Sequence, residues 1–182
     1  AGVPHLIVAQ RGLGIDPRHS WLKRLEQRVL NVLIGQFSDA RTVNAQAVAD
    51  RMKAFGWSEC EVIHNGMEVT HQTSQTRQNE LRSELGLRPH HRILGTIARL
   101  DPKKNLETML RALAHIVRVE PDCVLLVVGG GFEDYAERLK GLAEKLGLSN
   151  NVRFLGFRTD PKDLLALCEI SLLSSVTEGF PN

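Results

Sequence analysis

The sequence is poor in the residues that carry redox, metal or membrane chemistry. It holds three cysteines, Cys60, Cys123 and Cys168, an odd count with no Cys-x-x-Cys spacing. That argues against a disulfide framework, and two of the three border or enter apolar runs, as buried thiols of a reducing compartment do. No apolar run approaches the length of a membrane-spanning helix and no signal peptide opens the chain, so a cytoplasmic protein is expected. The 23 basic and 21 acidic residues leave a formal charge of +2, too balanced for a nucleic-acid binder. Seven histidines are scattered without ligand spacing, and His90-His91, just before a strand, read as solvent-exposed. There is no Asp-x-Asp pair to hold a divalent cation on a diphosphate. A Gly-x-Gly-x-x-Gly fingerprint with its ribose acid is also missing, which argues against a nicotinamide dehydrogenase. A starting Met is missing too: the chain opens at Ala1 inside a strand-like run and stops at Asn182, directly after Glu-Gly-Phe-Pro. It reads as a piece of a longer protein.

What is present is a globular composition of 182 residues, 42% hydrophobic and 24% charged, enough for one domain and part of another. Pro4 to Gln10 read as a strand followed by the loop Arg11-Gly12-Leu13-Gly14. From Ser20 a helical stripe runs through Trp21, Leu22, Leu25, Val29, Leu30 and Leu33. Lys23, Arg24 and Arg28 give it a mixed face, which favours an ordinary packed helix over one lying on a membrane. Phe37–Val43 reads as a strand, Asn44 as the cap of a helix reaching Phe55, and Glu61–His64 as a strand ending in the Asn65-Gly66 turn. Glu68 to Thr76 is polar and aperiodic, a linker. The domain division is therefore placed between residues 1–67 and 68–182.

Beyond it, strands are expected at Arg92–Ala98, Val124–Val128, Val152–Leu155 and Ile170–Ser174. Helices are expected at Gln78–Leu85, Asn105–Val119, Glu133–Leu146 and Pro161–Cys168, the last with Asp160 as N-cap and Pro161 at its first position. Short continuous apolar strands alternating with helices mean an α/β domain with a parallel, doubly wound sheet. Its ligands gather at the carboxyl ends of the strands. Those ends carry Arg99 with Lys103 and Lys104, then Gly129-Gly130-Gly131, then Gly156-Phe157-Arg158, then Ser174 to Pro181 with Glu178. Cations beside a helix start suit a phosphate group, and glycines let a ligand approach the backbone. Each feature also has a plainer reading: solvated surface charge for Arg99 and Lys104, a strand-to-helix turn for the glycines, a turn carboxylate for Glu178.

Taken together, the motifs resemble the retaining glycosyltransferases of family 4, the group 1 glycosyl transferases with the two-domain GT-B fold. The family pattern Gly-x-x-x-Arg-Leu then Lys-Asn stands here as Gly95-Thr-Ile-Ala-Arg99-Leu100 and Lys104-Asn105. The strand and glycine loop stand as Leu125-Leu-Val-Val-Gly-Gly-Gly131. Asn151-Val-Arg-Phe-Leu-Gly156 and Ser175-Val-Thr-Glu178-Gly-Phe-Pro-Asn182 follow in family order. The likeness covers Glu61 to Asn182 well and the first sixty residues loosely.

The resemblance implies a Rossmann-like donor domain preceded by the tail end of an acceptor-side Rossmann-like domain. It implies hexosyl transfer with retention from a nucleotide-diphosphate sugar to a saccharide, lipid-carrier or small-molecule acceptor, as in polysaccharide or glycolipid biosynthesis. No metal or other cofactor is implied, and the parent could associate peripherally with the inner face of a membrane. Arg99 and Lys104 would hold the diphosphate and Glu178 the donor sugar. Gly130 and Gly131 would flank the nucleotide, Phe157 and Arg158 the base, and Gly179 and Phe180 the sugar and phosphates. The second glutamate of the family's Glu-x7-Glu pair would fall beyond Asn182, and Gln10-Arg11-Gly12 stand where the family usually has a His. Two alternatives on the same architecture are a non-catalytic nucleotide-sugar-binding module and a sugar-nucleotide epimerase.

Overall fold

The computed structural model describes residues 5–12, 20–57, 59–66 and 72–178. The backbone divides into two compact units, Ala1–Glu68 with Thr177–Asn182, and Val69–Val176. The first contains β1 (Ile7–Gln10), α1 (Trp21–Phe37), β2 (Ala40–Val43), α2 (Gln46–Lys53) and β3 (Glu61–Val62). Its three strands run parallel in the order β1-β2-β3. Val43, Val48, Ala49, Met52, Phe55 and Trp57 form its core. Gly35 is required there: an added Cβ would sit 2.5 Å from the Trp57 ring, whose Nε1 donates to the Asn31 carbonyl at 2.7 Å.

Three sequence expectations for this unit are corrected. Residue 37 ends α1 rather than starting β2, because a terminal apolar residue fits either period. Asn44 does not cap α2; the cap position is Ala45, without a side-chain bond, and Asn44 Nδ2 donates to the Arg11 carbonyl instead. Nor is α1 an ordinary packed helix, since Gly35 alone is buried along it. Trp21, Leu22, Leu25, Val29 and Leu30 are exposed. No helix among the described residues is long and apolar enough to cross a membrane.

The second unit holds α3 (Gln75–Glu84), β4 (Arg92–Ile97), a 3-10 turn (Pro102–Lys104), α4 (Leu106–Ile116), β5 (Cys123–Val128), α5 (Glu133–Lys145), β6 (Val152–Gly156), α6 (Pro161–Ala166) and β7 (Ile170–Ser171). All its strand pairings are parallel, in the order β6-β5-β4-β7. The chain steps outward from β4 to β5 and β6, then returns to the far side of β4. β5 is buried at every position, and its side chains alternate between two cores. Cys123, Leu125 and Val127 join α4 and α5 through Met109, Leu110, Leu113 and Leu139. Val124, Leu126 and Val128 join α3 and α6 through Leu81, Leu164 and Leu167. A strand covered on both faces needs apolar residues throughout, which is why it is a continuous run in sequence. Gly95 of β4 lets the connection between α6 and β7 in close, as a Cβ there would lie 2.4 Å from Cys168 Sγ.

Candidate functional site

The reversal of strand order falls between β4 and β7. In open α/β sheets that is where a crevice opens at the carboxyl ends of the strands. Arg99 and the Pro102–Lys104 turn follow β4 at this place. Here the helix does not start at Asn105, as the sequence suggested. Asn105 has φ 50°, and α4 starts at Leu106 after the 3-10 turn. The turn is clamped from the other side of the crevice: the Val176 amide donates to the Lys103 carbonyl at 2.9 Å. Ser174 Oγ donates to the carbonyls of Lys104 at 2.8 Å and Asn105 at 3.0 Å. The strand expected to reach Ser174 ends at Ser171; Leu172 still donates to the Gly95 carbonyl at 2.7 Å, and beyond it Ser174 and Val176 hold the Lys104 turn instead.

Arg99 is 67% exposed, and its Nη2 donates at 2.6 Å to Asp101, whose side chain is 9% exposed. Asp101 also accepts the Lys103 amide at 2.9 Å. Burial pushes its carboxyl up, but the Lys103 N–H and the Arg99 guanidinium together outweigh that and hold it below the usual carboxylate range. Asp101 thus stays ionised, fixing one edge of the Arg99 fork and the turn that presents Lys103 and Lys104. One nitrogen of the Arg99 guanidinium is thus held before any ligand arrives, an arrangement that suits an anion. The sequence reading missed Asp101, though its signal was there. Asp-Pro-Lys after a strand is the pattern of a side chain bonding the amide two residues on.

Hydrogen bonding continues beyond the strands. Leu100 donates to the Gly130 carbonyl at 2.9 Å, Phe132 to the Leu100 carbonyl at 3.1 Å, and Gly129 to the Gly156 carbonyl at 2.8 Å. Two glycines of the loop serve this packing. A Cβ on Gly129 would stand 2.1 Å from the Ala98 oxygen, and on Gly131 2.2 Å from the Leu100 oxygen. Gly130 differs: the nearest atom to a Cβ there is Phe157 Cβ at 3.8 Å. The Phe157 side chain, 81% exposed, is thus beside the open glycine.

Arg158 is oriented inward. Its Nε and Nη2 donate to Asp160 at 2.8 Å each, and Nη1 to Glu84 at 2.6 Å. Asp160 makes no side-chain cap bond to α6; its carboxylate is taken by Arg158 and by Arg77 Nη2 at 2.7 Å. Asp160 occupies the expected N-cap position before Pro161, but its carboxylate is diverted into ion pairs. Arg158 holds the Asp160 carboxyl below its ordinary value against a smaller opposing effect of burial.

The model of the family described as glycosyl transferases group 1 matches residues 77–182. The chain belongs to this family. It is 30% identical over 167 residues to the D-inositol 3-phosphate glycosyltransferase of Corynebacterium jeikeium, covering 85% of this chain and 40% of that protein. It is 31% identical over 153 residues to the GDP-mannose-dependent monoacylated alpha-(1-6)-phosphatidylinositol monomannoside mannosyltransferase of Corynebacterium glutamicum, covering 80% of this chain and 39% of the relative. The crystal structure of Anabaena HepE in complex with UDP and glucose superposes with a TM-score of 0.81 at 29% identity, over 94% of this chain and 46% of that one. The chain spans less than half the length of these relatives.

Of the residues expected to act in a group 1 glycosyl transferase, the second unit brings together Arg99, Lys104, Gly130, Gly131, Phe157 and Arg158 at the carboxyl ends of one sheet. Glu178 groups with the first unit, and Gly179 and Phe180 lie outside the described residues. At the opposite, amino ends of β4 and β5, His90, His91 and Asp122 bring potential ligand atoms within 4.8 Å of one another. The sequence placed the two histidines in solvent. His90 is exposed, but His91 is half-buried, and its Nδ1 accepts the Arg88 amide at 3.0 Å.

Proposed function

We propose that this chain carries the donor-binding half of a glycosyltransferase that moves a hexosyl group from a nucleotide-diphosphate sugar to an acceptor with retention of configuration. The observation that carries the reading is the Asp101 clamp, which presets Arg99 and the Lys103–Lys104 turn where the strand order reverses. Two relatives named for inositol phosphate and GDP-mannose-dependent transfer support it, as does the HepE structure with UDP and glucose. Arg99 and Lys104 hold the diphosphate and Glu178 contacts the donor sugar. The open backbone at Gly130 lets the nucleotide approach, with Phe157 on the base side.

The chemistry follows from charge. Breaking the anomeric C–O bond leaves negative charge on the diphosphate, so cations fixed at that end favour the transition state over the bound donor. With no Asp-x-Asp in the sequence, Arg99 and Lys104 supply the neutralisation without a metal. The acceptor is a saccharide, a lipid carrier or a small metabolite, and the enzyme acts in the cytoplasm.

Calorimetric titration of the 182-residue chain with UDP, GDP and ADP tests this, repeated on Arg99→Ala and Lys104→Ala. One nucleotide binds in preference, and each substitution weakens it about tenfold or more, the worth of a charge-assisted hydrogen bond. Unchanged affinity in both variants removes the assignment.

A further inference from the structure

We infer that Arg158 is a positioning residue: through Asp160 and Glu84 it sets the loop that carries Phe157 beside Gly130, and so governs binding of the nucleoside half of the ligand without touching it. The inference rests on the donor-site reading above and reassigns Arg158 within it.

Three observations carry it. First, each guanidinium nitrogen donates to a carboxylate, two of them to Asp160 in a parallel fork and the third to Glu84. A planar fork filled in this way has little freedom left to turn toward a ligand. Second, the surroundings do not suit a diphosphate. Arg158 and Arg77 are matched by Glu80, Glu84, Asp160 and Asp163, so no surplus positive charge is left for an anion. Third, the loop needs an anchor. β6 ends at Gly156 with φ 64°, the exposed Phe157 follows, and Arg158 is the next side chain with fixed partners.

The network reaches beyond the loop. Arg77 Nη2 bonds Asp160 at 2.7 Å, and Asp163 accepts Thr73 Oγ1 at 2.8 Å. The start of α3, the β6–α6 loop and the first turn of α6 are thereby tied into one frame. Nothing local marks this network, since Glu84 and Arg158 stand 74 positions apart along the chain.

Glu84→Gln separates positioning from contact, because it removes a half-exposed carboxylate behind Arg158 and touches neither the glycine loop nor the cations. UDP, GDP and inorganic pyrophosphate are titrated into the wild-type chain and the variant, with circular dichroism confirming the fold. The nucleotide that binds weakens about tenfold, the scale of one charge-assisted hydrogen bond, while pyrophosphate is unaffected. Arg158→Ala repeats the pattern more strongly, and Phe157→Ala mimics it. Nucleotide affinity that holds or tightens in Glu84→Gln would mean that the released guanidinium binds the ligand itself, overturning the inference. A parallel loss for pyrophosphate overturns it as well. Arg99→Ala is the separate control: if it leaves every probe unaffected, the donor-site reading has failed rather than the role of Arg158. If no nucleotide binds the wild-type chain, both fall together.

Discussion

The three successive glycines after β5 make a graded test, because the structure gives them different work. Alanine at Gly131 places a Cβ 2.2 Å from the Leu100 carbonyl oxygen, and at Gly129 2.1 Å from that of Ala98. Both oxygens belong to a backbone held by hydrogen bonds to the neighbouring strand end, so neither can step aside as a flexible side chain could. Such overpacking costs about 1–3 kcal/mol. Gly129 also has φ 139°, where a side chain adds strain on the order of 1–3 kcal/mol. Gly131→Ala should therefore lose about 2 kcal/mol and Gly129→Ala about 3 kcal/mol or more. At about 2–4 °C per kcal/mol for a chain of this length, the melting points fall by about 4–8 °C and 6–12 °C. Gly130→Ala meets ordinary contact distance only, and a freely accommodated Gly→Ala change stabilises by about 0.4–1 kcal/mol through the unfolded chain. Its melting point should hold or rise while nucleotide binding falls, because the new methyl occupies the side from which the ligand approaches. Thermal unfolding followed by circular dichroism, with calorimetric titration of the same proteins, reads both quantities. Equal melting points for all three variants would refute the packing argument. Unchanged nucleotide affinity in Gly130→Ala would refute the ligand-facing assignment.

Two further outcomes follow from the ionisable groups. The Asp101 carboxyl is held below the usual range in the folded chain, so its contribution is present above the unfolded value near pH 4 and is lost as pH falls through the lower folded value. Asp101→Asn keeps an acceptor for Lys103. It should be less stable than wild type by a constant margin from pH 8 to about 5 that closes below about pH 4; a margin independent of pH down to acid unfolding would show the charge to be idle. Burial pushes the Cys168 thiol up to about 11, leaving roughly one in a thousand as thiolate at pH 8. Iodoacetamide should spare Cys168 in the native chain and modify it in urea, as peptide mass spectrometry would read; native labelling at the rate of free cysteine would refute this.

The second unit was legible because its central strands are covered on both faces. Parallel pairing under two helical layers forces Cys123 to Val128 to be apolar throughout, and the helices between carry their stripes at the matching period. Boundaries slipped where a tertiary bond overrode local preference. Asn105 reads as the first residue of a helix but is left-handed, standing between the 3-10 turn and α4. Leu173 and Ser174 read as the end of a strand, but Ser174 is drawn to the carbonyls of the Lys104 turn. At Asp160 the boundary held, since it occupies the N-cap position before Pro161, but the Arg158 and Arg77 guanidiniums claim the carboxylate that would have capped the helix. The first unit was less legible for a different reason: the apolar stripe of α1 predicts burial, and no described element covers it.

For the site, sequence could name the cations but not what holds them. A lysine or arginine at a strand end is by default a mobile, hydrated charge, and its worth to an anion depends on how much freedom it has lost beforehand. Asp101 and Asp160 settle that question in opposite senses. Asp101 binds one edge of Arg99 and leaves the side chain two-thirds exposed, so the cation is aimed yet open to a ligand. Asp160, with Glu84, engages all three nitrogens of Arg158, which on the inference above makes it a strut rather than a ligand group. Two arginines that look alike in a motif thus differ in the freedom left to them, and the carboxylates facing them decide how much.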